Sequence, residues 1–103
     1  MVPPHGLVLN VDELVAEFGP AAVSRGTRYA DLGRVRDTDW DEDALELTGH
    51  CWGSEDNLYR VSAGFQRSGD DLRLEWAECS CPVGAYCKHA VALLMAASSS
   101  HPP

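Results

Sequence analysis

The sequence predicts an α+β fold with two N-terminal helices, a small antiparallel sheet of three to four strands and a C-terminal helix. Three observations support this fold. Apolar residues recur at helical spacing near the N-terminus, they alternate with polar residues through the middle of the chain, and an unbroken apolar run occupies residues 90–97. With 103 residues, 45% of them hydrophobic, the chain has the size and composition of one folded domain.

The first helix is predicted to begin after Asn10, which can cap it, with Glu13 at capping-box spacing. One apolar stripe follows at positions i, i+3, i+4 and i+7, formed by Val11, Leu14, Val15 and Phe18. Gly19 ends this helix. A second helix is expected from Pro20 to about Leu32, because proline suits the first turn and Gly33 can terminate the last one.

Alternation of apolar and polar residues predicts antiparallel strands in the middle of the chain. A short strand is expected at residues 33–37. Three longer strands follow, joined by hairpins at the turn-rich segments 53–57 and 68–71. Their apolar faces are predicted to consist of Leu45, Leu47 and Cys51 in the first, Tyr59, Val61, Ala63 and Phe65 in the second, and Leu72, Leu74 and Trp76 in the third.

The last element, residues 87–97, is predicted to be a helix that is apolar nearly all round, so it must be buried on more than one side. A position in the core is favoured over a partner's groove. We therefore predict one domain at residues 10–97, flanked by a flexible N-terminal tail at 1–9 and a linker-like C-terminal tail at 98–103.

Three of the four cysteines and one histidine fall within residues 79–89, CSCPVGAYCKH. Cys79 and Cys81 are two apart at the end of a strand, so both thiols leave the same face. Cys87 and His89 follow at the start of the final helix. Three thiolates and one imidazole suit a closed tetrahedral zinc site, which we expect between the last strand and the C-terminal helix.

The alternatives to zinc are weaker. A disulfide between two of these cysteines would leave the third unpaired and is uncommon in a reducing cytosol. A catalytic Cys–His pair needs one thiol and does not explain three. With four protein ligands, the zinc has no open position for water and is predicted to be structural. Cys51 is expected to be a small buried side chain, and His50 a surface histidine.

Charge bears on the choice of partner. The formal net charge is −8, which works against sequence-independent binding of nucleic acid. Residues 37–46 carry six acidic and no basic side chains. Residues 24–36 are locally basic, with Arg25, Arg28, Arg34 and Arg36. A solvated basic face is favoured for them, and the alternative is a small patch that contacts phosphate or an acidic partner. No apolar run is long enough to cross a membrane, and no signal peptide is recognisable, so a cytoplasmic location is expected.

The spacing C-x-C-x₅-C-x-H resembles the SWIM zinc finger. The segments RG at 25–26 with Tyr29, GRV at 33–35, GS at 53–54 and YRV at 59–61 are similar to the region before the finger in bacterial SWIM proteins. The resemblance implies a zinc-held β-hairpin packed on a helix, with the ligands Cys79, Cys81, Cys87 and His89. It also implies an accessory role in larger assemblies, because SWIM domains occur in Swi/Snf-type ATPases, Mutator-like transposases and ubiquitin-ligase-type proteins.

The sequence predicts one of two functions. The first is a protein-interaction module with one structural zinc, docking on a Swi/Snf-type ATPase or on the rest of its own polypeptide. The second is a nucleic-acid-binding finger that uses the basic segment Arg25–Arg36 together with Lys88. No catalytic residue comes with the motif, so we predict no enzyme activity, no small-molecule substrate and no membrane partner.

Overall fold

The computed structural model of the chain describes residues 11–53, 57–69, 71–82, 84 and 86–97. These residues confirm the predicted α+β fold, with elements in the order ααββββα. The tails at 1–9 and 98–103 and the predicted cap Asn10 lie outside the described residues. The elements are α1 (Val11–Phe18), α2 (Pro20–Asp31), β1 (Val35–Asp41), β2 (Glu46–Trp52), β3 (Leu58–Ser68), β4 (Asp71–Cys79) and α3 (Lys88–Ala97).

The four strands form one antiparallel sheet in the order β1-β2-β3-β4. Helix α3 packs on this sheet, contacts all four strands, and also contacts α1 and α2. The six residues from His89 to Leu94 are buried all round, as the sequence predicted for this helix. None of the described helices is long and apolar enough to cross a membrane.

The sheet has an inner face, which α3 covers, and an opposite outer face. In β2, Leu47, Gly49 and Cys51 are buried while the residues between them are half-buried, so the predicted alternation is confirmed there. Gly49 is needed at this contact, because a Cβ at that position would lie 2.8 Å from Leu93 Cδ1 of α3. The strands therefore place one compact apolar surface beneath α3.

A β-bulge in β4 makes one predicted face wrong. Ala77 pairs with Ala63 and Leu74 pairs with Phe65, with a register shift between the two pairs. The extra residue reverses the alternation, so Ala77 is buried on the inner face while Trp76 lies over Gly64 on the outer face. Leu72 and Leu74 pack against the core, as expected.

Strand β1 begins later and runs longer than the predicted strand at residues 33–37. It reaches Asp41, with an irregularity after Arg36 where Asp37 has a φ of 56°. Trp40 is 2% exposed and meets the Phe65 ring edge-on. Its indole N–H donates to Glu42 Oε2 at 2.6 Å. The sequence did not indicate the second half of β1, because one buried tryptophan among exposed carboxylates gives no clear alternation of apolar and polar residues.

Helix α2 ends at the predicted glycine. The N–H groups of Gly33 and Arg34 donate to the carbonyls of Ala30 and Tyr29, and Gly33 has a φ of 71°. These two bonds form a Schellman motif, which requires a left-handed residue after the helix. Further back, Gly26 lies where α2 crosses α3: a Cβ there would be 2.4 Å from Val91 Cβ. This close crossing holds the first turn of α3 in place.

Candidate metal centre

The segment between β4 and α3 brings the four predicted ligands together. Cys79 ends β4, and its N–H donates to the carbonyl of Gly84 at 2.9 Å, which folds the chain back. Gly84 has a φ of 86°, a conformation that glycine adopts without a steric penalty. Cys87 precedes α3, and its carbonyl accepts from the N–H groups of Ala90 and Val91. The sulfur ligands therefore lie on both sides of a closed turn.

A second contact fixes the strand end that carries Cys79 and Cys81. The hydroxyl of Ser80 accepts a hydrogen bond from the Arg60 N–H at 2.9 Å, and the Ser80 N–H donates to the Arg60 carbonyl at 3.0 Å. Ser80 thereby continues the pairing of β3 with the end of β4. These backbone bonds orient the two flanking cysteines at the end of the sheet.

The side chains of Cys79, Cys81, Cys87 and His89 form a site that can hold one metal ion. Their ligand atoms all lie within 4.8 Å of one another. His89 Nδ1 is 3.7 Å from Cys79 Sγ and 3.6 Å from Cys87 Sγ. A zinc ion with tetrahedral bonds of about 2.3 Å to sulfur and about 2.0 Å to nitrogen would separate the sulfur and nitrogen atoms by about 3.5 Å. The donor set and its spacing therefore fit zinc.

Burial of the cluster also suits a structural ion. The four residues are between 4% and 8% exposed. The thiol of Cys79 donates a hydrogen bond that lowers the pKa of Cys87 well below its usual value of 9.0, and His89 acts in the same direction. The same bond and burial raise the pKa of Cys79. These shifts favour deprotonation of Cys87 over deprotonation of Cys79.

Histidine 89 has one nitrogen toward the thiols and another that lacks a partner. Its ring contacts those of Tyr59, with ring centroids 4.8 Å apart, and Tyr29, with centroids 5.7 Å apart. Nε2 is buried and has no hydrogen-bond partner among the residues that the structure describes. When Nδ1 binds zinc, Nε2 carries the ring proton and needs an acceptor. The described chain does not supply one.

The structure places part of the predicted basic set near the metal centre. Lys88 Nζ lies 5.5 Å from the centre of the Tyr29 ring, and Arg34 Cζ lies 4.9 Å from the same centre. Arg34 also donates to the carbonyl of Gly53 at 3.0 Å. Tyr29 therefore makes cation–π contacts with two side chains next to the His89 ring, and these contacts keep both positive charges near the metal centre.

The remaining arginines are divided between two regions. Arg25 and Arg28 are exposed on α2. Arg36 lies on β1, where it pairs with His50 on the outer face of the sheet. His50 lies 3.3 Å from Asp37 and outside the metal centre, as expected. The predicted basic segment is therefore not one continuous surface.

Sequence reasoning missed a cavity beside the metal centre. It has a volume of about 460 Å³ and is lined by the thiols of Cys81 and Cys87, by His89, and by residues of α1, α2 and β3. The rings of Phe18 and Tyr86 form part of its wall, with centroids 5.4 Å apart. No motif could have indicated it, because residues more than 60 positions apart meet only in the folded chain.

Cys51 lies apart from the cluster, as predicted. It is fully buried on the inner face of β2, and its Sγ is 3.8 Å from the carbonyl of Trp52. Burial raises its pKa to about 11, with the neighbouring Cys87 acting in the same direction. The thiol is therefore protonated and packs as a small apolar group.

Comparison with known proteins agrees with this geometry. Residues 59–98 match the family model of the SWIM zinc finger. The match covers β3, β4, the turn with its cysteines and α3, so it includes the complete Cys₃His cluster. No curated protein and no solved structure matches the chain. The chain thus contains a zinc-binding module with one structural zinc.

Proposed function

Starting from a SWIM zinc finger at residues 59–98, we propose that the chain is an interaction module that docks on a protein partner. By the resemblance described above, the partner is a Swi/Snf-type ATPase or another part of the same polypeptide, in a helicase-related assembly. We propose that residues 10–97 form the folded domain that makes this contact. The module brings no catalytic chemistry of its own to that assembly.

The proposed role of the zinc is to hold α3 on the sheet. Cys79 and Cys81 belong to the sheet side of the site, and Cys87 and His89 belong to the α3 side. Four protein ligands complete a tetrahedron, so no position remains for a water nucleophile or a substrate. Bound zinc would act as a cross-link between two elements, which is the function of a structural site.

The distribution of positive charge is the observation that supports a protein partner over nucleic acid. Arg36 lies on the outer face of the sheet, while Arg25 and Lys88 line the cavity on the helical side. Non-specific binding to DNA needs several cations that neutralise neighbouring phosphates. A chain of net charge −8 whose arginines are divided between two faces is poorly suited to that task.

One observation keeps the nucleic-acid alternative open to test. Arg25, Arg34 and Lys88 all lie on the helical side, near the finger, where a local field could attract phosphate in spite of the net charge. The location is proposed to be cytoplasmic. The four cysteines carry no disulfide, and thiols poised for zinc persist in reducing compartments.

The test compares the two kinds of partner with the same zinc-loaded chain. Fluorescence anisotropy measures binding to single- and double-stranded DNA at about 50 and 200 mM salt, a range over which phosphate-driven binding weakens steeply. In parallel, calorimetry measures binding to the purified Swi/Snf-type ATPase of the source organism. We expect saturable, zinc-dependent binding to the ATPase and none to DNA at low salt.

The neutralised variant decides between the outcomes. In the quadruple variant Arg25→Gln, Arg28→Gln, Arg34→Gln and Arg36→Gln, DNA binding that was salt-dependent in the wild type should vanish if the chain is a nucleic-acid finger. That result, together with no affinity for the ATPase, would overturn the docking proposal.

A further inference from the structure

We infer that the cavity beside the metal centre is a docking pocket for an acidic segment of the partner, in which a carboxylate adjoins an aromatic side chain. This inference rests on the proposed docking function and names the chemistry of the contact. The cavity volume of about 460 Å³ lies within the range of about 300–1,000 Å³ that is usual for ligand sites.

The walls of the cavity suit an aromatic group. Phe18, Tyr59 and Tyr86 contribute three rings, and Ala22 and Pro82 add apolar surface between them. Aromatic rings pair favourably in tilted geometry, as Phe18 and Tyr86 already do at 5.4 Å. A side chain inserted here would remove apolar surface from water on both partners, which supplies the affinity.

Positive charge at the cavity suits a carboxylate. Arg25 and Lys88 line it, and neither takes part in the ion pairs found among the described residues. The two positive charges of Arg25 and Lys88 exceed the single net negative charge of a zinc ion bound by three thiolates. The first turn of α2 also lines the cavity at Ala21 and Ala22, and this helix start has no side-chain cap. Uncapped N–H groups at a helix start attract anions.

His89 forms part of the cavity wall and keeps its second ring nitrogen buried. His89 is 5% exposed and lines the cavity, and its Nε2 has no partner among the described residues. A zinc-bound histidine nearly always donates its other ring N–H to an acceptor, most often a carboxylate or a carbonyl. Nε2 itself has almost no accessible surface, so a carboxylate in the cavity would be bound through Arg25 and Lys88 and not through His89.

A protein carboxylate fits these observations better than a phosphate backbone. A polynucleotide presents a row of negative charges, which an acidic surface repels along its whole length. A single carboxylate enters one small region where the field is positive. The aromatic walls add a contact for the side chain next to it. We therefore assign the pocket to a peptide and not to nucleic acid.

The experiment uses 3-phenylpropionate as the probe and its neutral amide as the matched comparison. Both are titrated into the zinc-loaded, ¹⁵N-labelled full chain and followed by NMR. We expect the carboxylate to shift the amide signals of Ala21, Ala22, Tyr86 and Lys88. The amide should bind about tenfold more weakly or worse, because hydrogen bonds to a charged group are the stronger ones. Equal affinity for both probes, or no shifts at these residues, would overturn the inference.

Variants separate the pocket from general charge effects. Arg25→Gln should weaken binding of 3-phenylpropionate about tenfold. Arg36→Gln removes the same charge from the outer face and should change nothing. Ala22→Met fills the cavity without altering charge and should abolish binding. Zinc content and the amide spectrum verify that each variant is folded. An equal loss in Arg25→Gln and Arg36→Gln would show that only the net charge matters and would contradict the assignment.

Repeating the ATPase titration with Ala22→Met distinguishes failure of the pocket from failure of the docking function. Loss of ATPase binding supports the pocket. Retained ATPase binding overturns the pocket and leaves docking through another surface. DNA binding that Ala22→Met abolishes would assign the pocket to phosphate and also overturn the inference.

Discussion

Replacing one cysteine at a time distinguishes a zinc ligand from an ordinary buried thiol. Cys87→Ser removes a ligand of the metal centre, and Cys51→Ser changes a fully buried thiol outside it. Both residues are at most 4% exposed, so a difference between them cannot come from burial. Wild-type, Cys87→Ser and Cys51→Ser chains are compared with zinc and with excess chelator.

The expected magnitudes differ strongly. Structural zinc contributes about 10–16 kcal/mol coupled to folding, and a domain has a free energy of unfolding of about 5–15 kcal/mol. Cys87 immediately precedes α3, which contacts every strand, so its loss frees the central helix. Cys87→Ser should therefore lose most of the zinc contribution and be largely unfolded. Cys51→Ser buries a hydroxyl, at a cost of about 1–3 kcal/mol.

Thermal unfolding followed by circular dichroism provides the assay, with zinc content measured on each sample. Cys51→Ser should bind one zinc, unfold cooperatively and lose about 4–8 °C for each kcal/mol. Chelator should disorder residues 72–97 in the wild type and bring it to the level of Cys87→Ser. If the wild type kept its circular dichroism and midpoint after verified metal removal, or if the two variants lost equal stability with zinc present, the assignment of the ligands would be refuted.

Three further predictions follow from the packing and the pKa shifts. Gly26→Val should lower the free energy of unfolding by about 1–3 kcal/mol through overpacking at the α2–α3 crossing. Ser24→Val, at an exposed position of α2, should have a much smaller effect in the same denaturant titration. Cys51 should resist iodoacetamide in the native zinc-loaded chain. The folded pKa of Cys51, about 11, lies above the usual value of 9.0. The contribution of this thiol to the free energy of unfolding is therefore complete below pH 9.0 and is lost as the pH rises toward about 11. Cys51→Ala should remove this pH dependence. Gly64→Ala should displace the Trp76 ring, since a Cβ there would meet Nε1 at 2.0 Å, and unchanged tryptophan fluorescence with unchanged zinc content would contradict the bulged register.

Some features could be predicted because they are local. The helix ends at Gly19 and Gly33 depend on backbone conformations that glycine adopts readily, and both residues have positive φ. The metal ligands lie within 11 consecutive residues, and their spacing alone restricts where the side chains can go. Chemistry encoded over a few residues needs no knowledge of the rest of the chain.

Other features are set by pairing between distant segments. The face occupied by Trp76 depends on a bulge opposite Gly64, and one extra residue in a strand reverses every later side chain. Strand β1 is stabilised by its pairing with β2 and by burial of Trp40, although its own composition is mostly acidic. The spacing of apolar residues along the sequence indicates neither the face of Trp76 nor the extent of β1.

The sequence by itself determined the α+β class, the buried terminal helix and the Cys₃His cluster, because each follows from composition and spacing over a short span. Only the tertiary structure decided which cations share a surface. Arg25 and Lys88 are separated by 62 intervening positions yet line one cavity. Arg36, only 11 residues after Arg25, lies on the opposite face. Proximity in the fold is set by which apolar faces pack together, and the packing of α2 on α3 and of α3 on the sheet determines it here.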